Sequence, residues 1–345
     1  MSKAYKIAAG IAVALTLFII ACRCSVEVAD FYALSIYPAI SSVLSLISSW
    51  SPIPLQEVAI VLIVIAAVVF LVKGCRRKWS VKRTLASEAL LLLCTFVWFY
   101  MSWCNNYYRS SILARTSTTY AEYDEVQFKA FIQAFADSIN AEWTFDITTD
   151  KKALEAETKQ FFAQLPQQYG LAQPRSWQHP KRMLFNPFYS AVGVQGFMAP
   201  LFAESCVNRD LLPEEYPFVY VHEYSHLLGV SNEAEAHWWA FQATRSSSCQ
   251  STRYSGYLGI LPHVMANARR FLPKEEYDAW YQTLRPEIEV DLIASSSHWA
   301  ESRSTLLDQM QSGIYDFFLK SNRIESGRKN YSQVVQLLIS VPFYK

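Results

Sequence analysis

Three runs of apolar residues crowd the first hundred positions, with few polar residues inside them. "IAAGIAVALTLFIIAC" covers Ile7 to Cys22, "VAIVLIVIAAVVFLV" covers Val58 to Val72, and "LASEALLLLCTFVWFYMSWC" covers Leu85 to Cys104. Each approaches the ~20 residues that cross a bilayer core as a helix, and flanking polar side chains can reach the interface to make up the difference. None has the one-sided stripe of a helix packed on a soluble core. The third ends in Trp98, Tyr100 and Trp103, which suits the aromatic belt at a membrane surface. The pattern predicts three transmembrane helices within residues 1–104.

From residue 105 to residue 345 the pattern turns globular. "EVQFKAFIQAFADSINAEW" and "KKALEAETKQFFAQLPQQYG" repeat apolar residues at helical spacing. The Pro- and Gly-bearing stretch from His179 to Asn208 carries β-branched and aromatic residues that suggest one or two strands. Helical patterns then continue to the end. The expected class is α+β, mostly helical, with a small sheet just ahead of the helix described next.

That helix lies in "FVYVHEYSHLLGVSNEAEAHWWAF", Phe218 to Phe241. Pro217 suits a first turn and Gly229 a C-cap. His222, Glu223 and His226 form H-E-x-x-H, and residues four apart share a helix face, so both imidazoles can grip one ion. Glu223 then reaches a water on that ion as general base, zinc having lowered the water's pKa toward ~7. A catalytic zinc needs a third protein ligand and one open position. Asn232 can cap a second helix, "EAEAHWWAFQA", which offers Glu233 and Glu235. These point about 200° apart around a helix, so one of the two coordinates. Asn232 stands where the H-E-x-x-H-x-x-G-x-x-H pattern has its third histidine, which argues against the metzincin branch.

Composition agrees with a membrane protein: 52% of residues are hydrophobic and 18% charged, against ~25% charged in an average soluble protein. A net charge of +1 gives no electrostatic case for a nucleic-acid partner. The loop "KGCRRKWSVKR" is basic without an acid, and Lys3 and Lys6 mark the N-terminus. The positive-inside rule puts both in the cytoplasm and everything after Asn105 outside the cytoplasmic membrane. "IIAC" ahead of Cys22 looks like a lipid-attachment cleavage site. Two further spans favour an uncleaved anchor, and either choice leaves the C-terminal part outside. Cys206 and Cys249 lie in that part; a bridge and two free thiols are both open.

"HEYSHLLG" followed by "EAEAH" resembles the gluzincin zinc metallopeptidases, in which a glutamate from a second helix completes the site. The resemblance implies Glu233 as ligand, with Glu235 as the alternative. His237 stands where those families usually carry an Asp or Asn that orients a ligand histidine, so that supporting role is altered here. The whole chain also resembles an uncharacterised bacterial family of three-span membrane proteins with a zincin-like external domain. "WCNNYYR", "GFMAPLFAESCVN", "RYSGYL" and "DFFLKSN" with "GRKNYSQVVQLL" carry that likeness.

Stabilisation of a developing oxyanion could come from His237, Tyr254 or Tyr257, or from His263 or His298. "GVQGFMAP", Gly193 to Pro200, is a candidate edge for a substrate strand. The expectation is a membrane-anchored Zn2+ metallopeptidase acting on a protein or peptide at the bilayer surface. Two rivals stand beside it: a non-catalytic zinc-containing sensor or interaction protein, and a zinc amidohydrolase acting on cell-wall or lipid amides.

Overall fold

The computed structural model describes residues 3–122, 124–304 and 331–341. Helix α1 (Lys3–Cys24) leads into a broken helix made of α2 (Val26–Phe31), a π turn (Tyr32–Ile36) and α3 (Tyr37–Ser49). Helices α4 (Leu55–Cys75) and α5 (Val81–Ser102) form a hairpin. Its turn is basic: Lys73 and Arg83 lie over the ring of Trp79, 5.0 and 4.3 Å from its centre.

Among the described residues, four helical segments are long and apolar enough to cross a membrane, namely Lys6–Cys24, Val26–Ser49, Leu55–Cys75 and Val81–Ser102. This marks the chain as a membrane protein. The sequence pattern gave three such segments; the addition is Val26–Ser49. Its π turn has a local cause. Pro38 has no N–H to give the preceding turn, and the ladder widens there, Tyr37 donating to the Tyr32 carbonyl. The segment is tied to the C-terminal half along its length. Asp30 accepts from the Ser110 N–H at 2.9 Å, and Tyr37 Oη donates to the Leu227 carbonyl at 2.7 Å. Ser45 Oγ accepts from Trp177 at 3.1 Å, and the Ser48 carbonyl accepts from Lys181 at 2.5 Å.

The rest is mostly helical: α6 (Ile112–Arg115), α7 (Glu125–Glu142), α8 (Lys151–Ala163), α9 (Asn186–Ala191), α10 (Tyr216–Leu227), α11 (Glu233–Arg245), α12 (Gln250–Phe271), α13 (Lys274–Tyr281), α14 (Pro286–Ser302) and α15 (Tyr331–Ser340). The "DFFLKSN" stretch lies outside the described residues. Three short strands, β1 (Lys181–Arg182), β2 (Gly196–Ala199) and β3 (Glu204–Val207), form one sheet in the order β1-β3-β2. β1 runs parallel to β3 and β2 antiparallel to it, with Gly196 opposite Val207 and Ala199 opposite Glu204. β2 is therefore an edge strand, the place the sequence gives to "GVQGFMAP".

The core gathers around α10, α11 and α12, with Trp238 and Trp239 fully buried. Leu44 of α3 belongs to the same core. The composition changes near residue 104, but the packing runs across that point. Two carboxylates reinforce the junction. Glu204 of β3 accepts the first N–H groups of α4, from Leu55 at 2.9 Å and Gln56 at 3.0 Å, while pairing with Lys181 at 2.7 Å. In return Glu57 of α4 accepts from the Leu184 and Phe185 N–H groups at 2.9 and 2.8 Å. Buried carboxylates satisfied in this way resist separation, because each would otherwise lose charge-assisted bonds.

Candidate metal centre

Every residue of α10 is buried, so its polar side chains need partners or a purpose. Pro217 stands in the first turn, as expected, and Gly229 leaves the helix at φ 98°, a backbone conformation suited to glycine. Three residues later Asn232 caps α11, accepting from the Glu235 N–H at 2.9 Å. The two helices pack side by side, and this brings Glu233 against the histidines of α10.

His222, His226 and Glu233 each offer one ligand atom at a common point. The two Nε2 atoms are 3.1 Å apart, and Glu233 Oε2 is 3.3 Å from His222 Nε2 and 3.6 Å from His226 Nε2. Ligand atoms ~2.0–2.2 Å from a tetrahedral zinc lie about 3.3–3.6 Å from one another, so this triangle is close to the right size, its His222–His226 side slightly short. His226 Nδ1 donates to the Val230 carbonyl at 2.7 Å, which leaves Nε2 with its lone pair toward the point. Two imidazole nitrogens and a carboxylate oxygen converge, and a cation is what such a donor set accommodates. The local field agrees. Burial opposes charge on His226, yet Glu233, Glu223 and the Val230 carbonyl outweigh it and lift its pKa to about 9, so the carboxylates hold on Nε2 a proton that a metal cation would displace to reach the lone pair. Burial likewise works against ionised Glu233, but the imidazoles hold its carboxyl well below the usual range. Glu233 is the most open of the three, its side chain 37% exposed toward the cleft.

Glu223 is buried one residue along α10. Burial raises its pKa, and Glu233 adds to this, while His222, His226 and the Met198 N–H oppose. Gly196 of β2 makes room for it: a Cβ there would come within 2.6 Å of Glu223 Cγ and 2.7 Å of Oε1. The edge strand and the H-E-x-x-H helix thus touch through a missing side chain. The cleft, about 860 Å³, opens on the ligands and is lined by Gly196 to Met198, Glu223, His237 and His263 among others.

The other candidates divide. Glu235 does not join the triangle. It is buried against Arg115 of α6 in an ion pair and accepts from Trp239 Nε1 at 3.1 Å, so the alternative ligand faces away. His237 lies against His222, ring centres 4.4 Å apart, with His263 beyond it at 4.7 Å. No hydrogen bond orients His222 from this side: Nδ1 of His222 and Nδ1 of His237 are both buried without one. Burial, then the neighbouring histidines, hold His237 well below the ordinary imidazole pKa, and burial with His222 lowers His263 to about 4. Both are neutral at pH 7.

Tyr254 and Tyr257 are not at the cleft. Tyr254 donates to Asp291, and Tyr257 packs edge-on against Phe135 and Phe241 in the core. Both lie on the part of α12 that faces away from the ligands. His298 bonds the Asp210 carbonyl at 2.6 Å, away from the cleft lining. Cys206 is buried, Cys249 exposed, and both are free thiols. Glu204 holds α4 and does not reach the site.

Sequence reasoning missed what fixes the end of α10. The last carbonyls of a helix have no partner inside it. Here the His226 carbonyl accepts from Trp103 Nε1 at 2.7 Å, Leu227 from Tyr37, Leu228 from the Ala172 N–H at 2.9 Å, and Gly229 from Arg109 Nη1 at 3.3 Å. Trp103 also sets its ring edge-on to His226, centres 6.1 Å apart. No local signal marks Trp103 for this. Gly196 had one: a glycine inside a strand pattern often marks close approach of another group.

Residues 32–339 match the family described as Protein of unknown function (DUF3810), and the chain belongs to that family. No curated protein and no solved structure matches it.

Proposed function

We propose that the chain is a membrane-embedded zinc metallopeptidase with a zincin-like domain outside the cytoplasmic membrane, its zinc held by His222, His226 and Glu233. The observation that carries this reading is the convergence of three acceptor atoms at zinc-sized spacing, beside a buried carboxylate, in an open cleft. Bound zinc would supply Lewis acidity toward water and a substrate carbonyl. Glu223 takes the attacking water's proton on its carboxylate and returns it to the leaving amine nitrogen. His237 and His263, neutral and facing the cleft, can donate N–H groups to the carbonyl oxygen as charge develops there. β2 offers its free edge to an extended peptide.

In this reading α1, α4 and α5 cross the bilayer, and Val26–Ser49 lies along the outer domain to which it is bonded. The basic α4–α5 turn faces the cytoplasm. A purely structural zinc site is less well supported, since such sites close all four positions and have no use for Glu223. The test is metal analysis of the full-length protein and its Glu223→Gln variant in detergent, each with peptide-library cleavage. The expected result is stoichiometric zinc in both and cleavage by the native protein alone. Absence of zinc from the native protein overturns the reading.

A further inference from the structure

We propose that the substrate is a polypeptide itself anchored in the bilayer, reaching the cleft from the membrane side and cut within a few residues of its own apolar segment; this rests on the peptidase reading above. The cleft does not end at the C-terminal half. Phe99 and Trp103 of the α5 end, Tyr107 just after it, and Gln56 in the first turn of α4 form part of its wall. Phe99 lies inside the apolar stretch Val81–Ser102. The wall thus continues about one helical turn, ~5 Å, into a segment long and apolar enough to cross a membrane.

The rim points the same way. Leu184, Phe185 and Phe188 are 41%, 45% and 51% exposed. The N–H groups of the first two are held by Glu57 at the start of α4, so this apolar patch stands at the level where α4 begins. Tyr189, next in the chain, lines the cleft. Exposed aromatic and aliphatic side chains at that level suit a bilayer surface better than water. Trp98, directly before Phe99, is exposed and donates to the Leu201 carbonyl at 2.9 Å, closing the same junction.

The metal ligands are close to this level. His226 is one tryptophan side chain from the α5 end through the Trp103 bond. A separation on the order of 10 Å is covered by about three extended residues at ~3.3 Å each. The occupant is a polypeptide because the edge available to it is backbone: β2 lines the cleft and, among the described residues, pairs as a strand with β3 alone, its other edge meeting the site where the Met198 N–H faces Glu223. A lipid has no strand to add there. A tethered chain also arrives at high effective concentration.

The test uses full-length zinc-loaded protein in vesicles of phosphatidylcholine and phosphatidylglycerol, with Glu223→Gln as the blank. A single-span reporter carries a short randomised segment directly after its span in one arm. In a second arm a Gly/Ser spacer of about thirty residues separates the two, and in a third the same segment is a soluble peptide. Cut sites are read by mass spectrometry. The expected result is cleavage at least about tenfold faster in the first arm, with cuts crowded next to the span. Equal rates in all arms, or faster cutting of the soluble peptide, would overturn membrane-side access while leaving the peptidase reading standing. Zinc-loaded protein that cuts in no arm removes both, as does fatty-acid release from an N-acylated lipid in the same vesicles without peptide cleavage.

Discussion

Trp103 Nε1 donates to the carbonyl oxygen of His226 at 2.7 Å, so the last residue of the H-E-x-x-H pattern is held by a residue at the mouth of an apolar helix. Outer partners of metal ligands commonly tune affinity by ~10–100-fold. Trp103→Phe keeps the ring and removes the donor. Zinc affinity, measured by chelator competition, is expected to fall about tenfold. Unchanged affinity would mean that the indole bond does not position His226.

Gly196→Ala tests the contact between edge strand and base. The added methyl meets Glu223 at 2.6 Å, and a buried carboxylate must shift. Peptide cleavage is expected to drop by about a hundredfold with bound zinc retained. A variant as active as the native protein would show that Glu223 has room the geometry does not suggest.

The two glutamates of α11 should separate by phenotype. Glu233→Gln is expected to fold and to lose zinc. Glu235→Gln breaks a buried pair with Arg115 and should cost about 3–5 kcal/mol of stability, while the folded fraction keeps its zinc. Thermal unfolding beside metal content decides. Loss of zinc in Glu235→Gln at native stability would reverse the assignment.

Acid should destabilise the protein through His263. Its folded pKa is about 4 against an ordinary 6.5, so between these values the unfolded chain binds a proton that the folded chain refuses. Stability therefore falls as pH drops from about 6.5 toward 4, by up to about 3 kcal/mol at the lower end. His263→Gln should lose less than the native protein between pH 7.5 and pH 5, both read as unfolding midpoints. Parallel losses would rule out His263 as the cause.

Cysteine accessibility tests the arrangement across the bilayer. Cys24, Cys75 and Cys249 are exposed. With three crossings, a membrane-impermeant maleimide added to intact cells labels Cys24 and Cys249, and labels Cys75 only after permeabilisation. If Val26–Ser49 also crosses, Cys75 becomes reactive from outside and Cys249 does not.

The α10–α11 pair was legible in the sequence because its signals are local: a proline in the first turn, a glycine after the last, an asparagine cap, and histidines four apart. The mostly helical class and the small sheet followed from spacing in the same way. The choice between Glu233 and Glu235 was open because both sit in one first turn. What separates them is Arg115, well over a hundred residues earlier, and no periodicity points to it. The segment Val26–Ser49 escaped notice because its apolar residues are interrupted by serines and Pro38. Of those serines, Ser45 meets the C-terminal half with its hydroxyl, which accepts from Trp177 and Gln178, while Ser41, Ser48 and Ser49 turn theirs back to carbonyls of their own helix. Tyr254 and Tyr257 had suitable chemistry, but each points to the side of α12 away from the cleft, which Ser255 and Leu258 of the same turns line.

The four carbonyls at the end of α10 have a practical consequence for anyone dividing this protein. Three of their donors, Tyr37, Trp103 and Arg109, come from the first 109 residues, and Leu44 completes the same core. A fragment beginning at residue 105 would keep His222, His226, Glu233 and Arg109 but lose Tyr37 and Trp103, leaving the end of α10 frayed at His226. The apolar N-terminal portion is scaffold as well as tether, and the smallest piece expected to keep the candidate metal centre in shape is close to the whole chain.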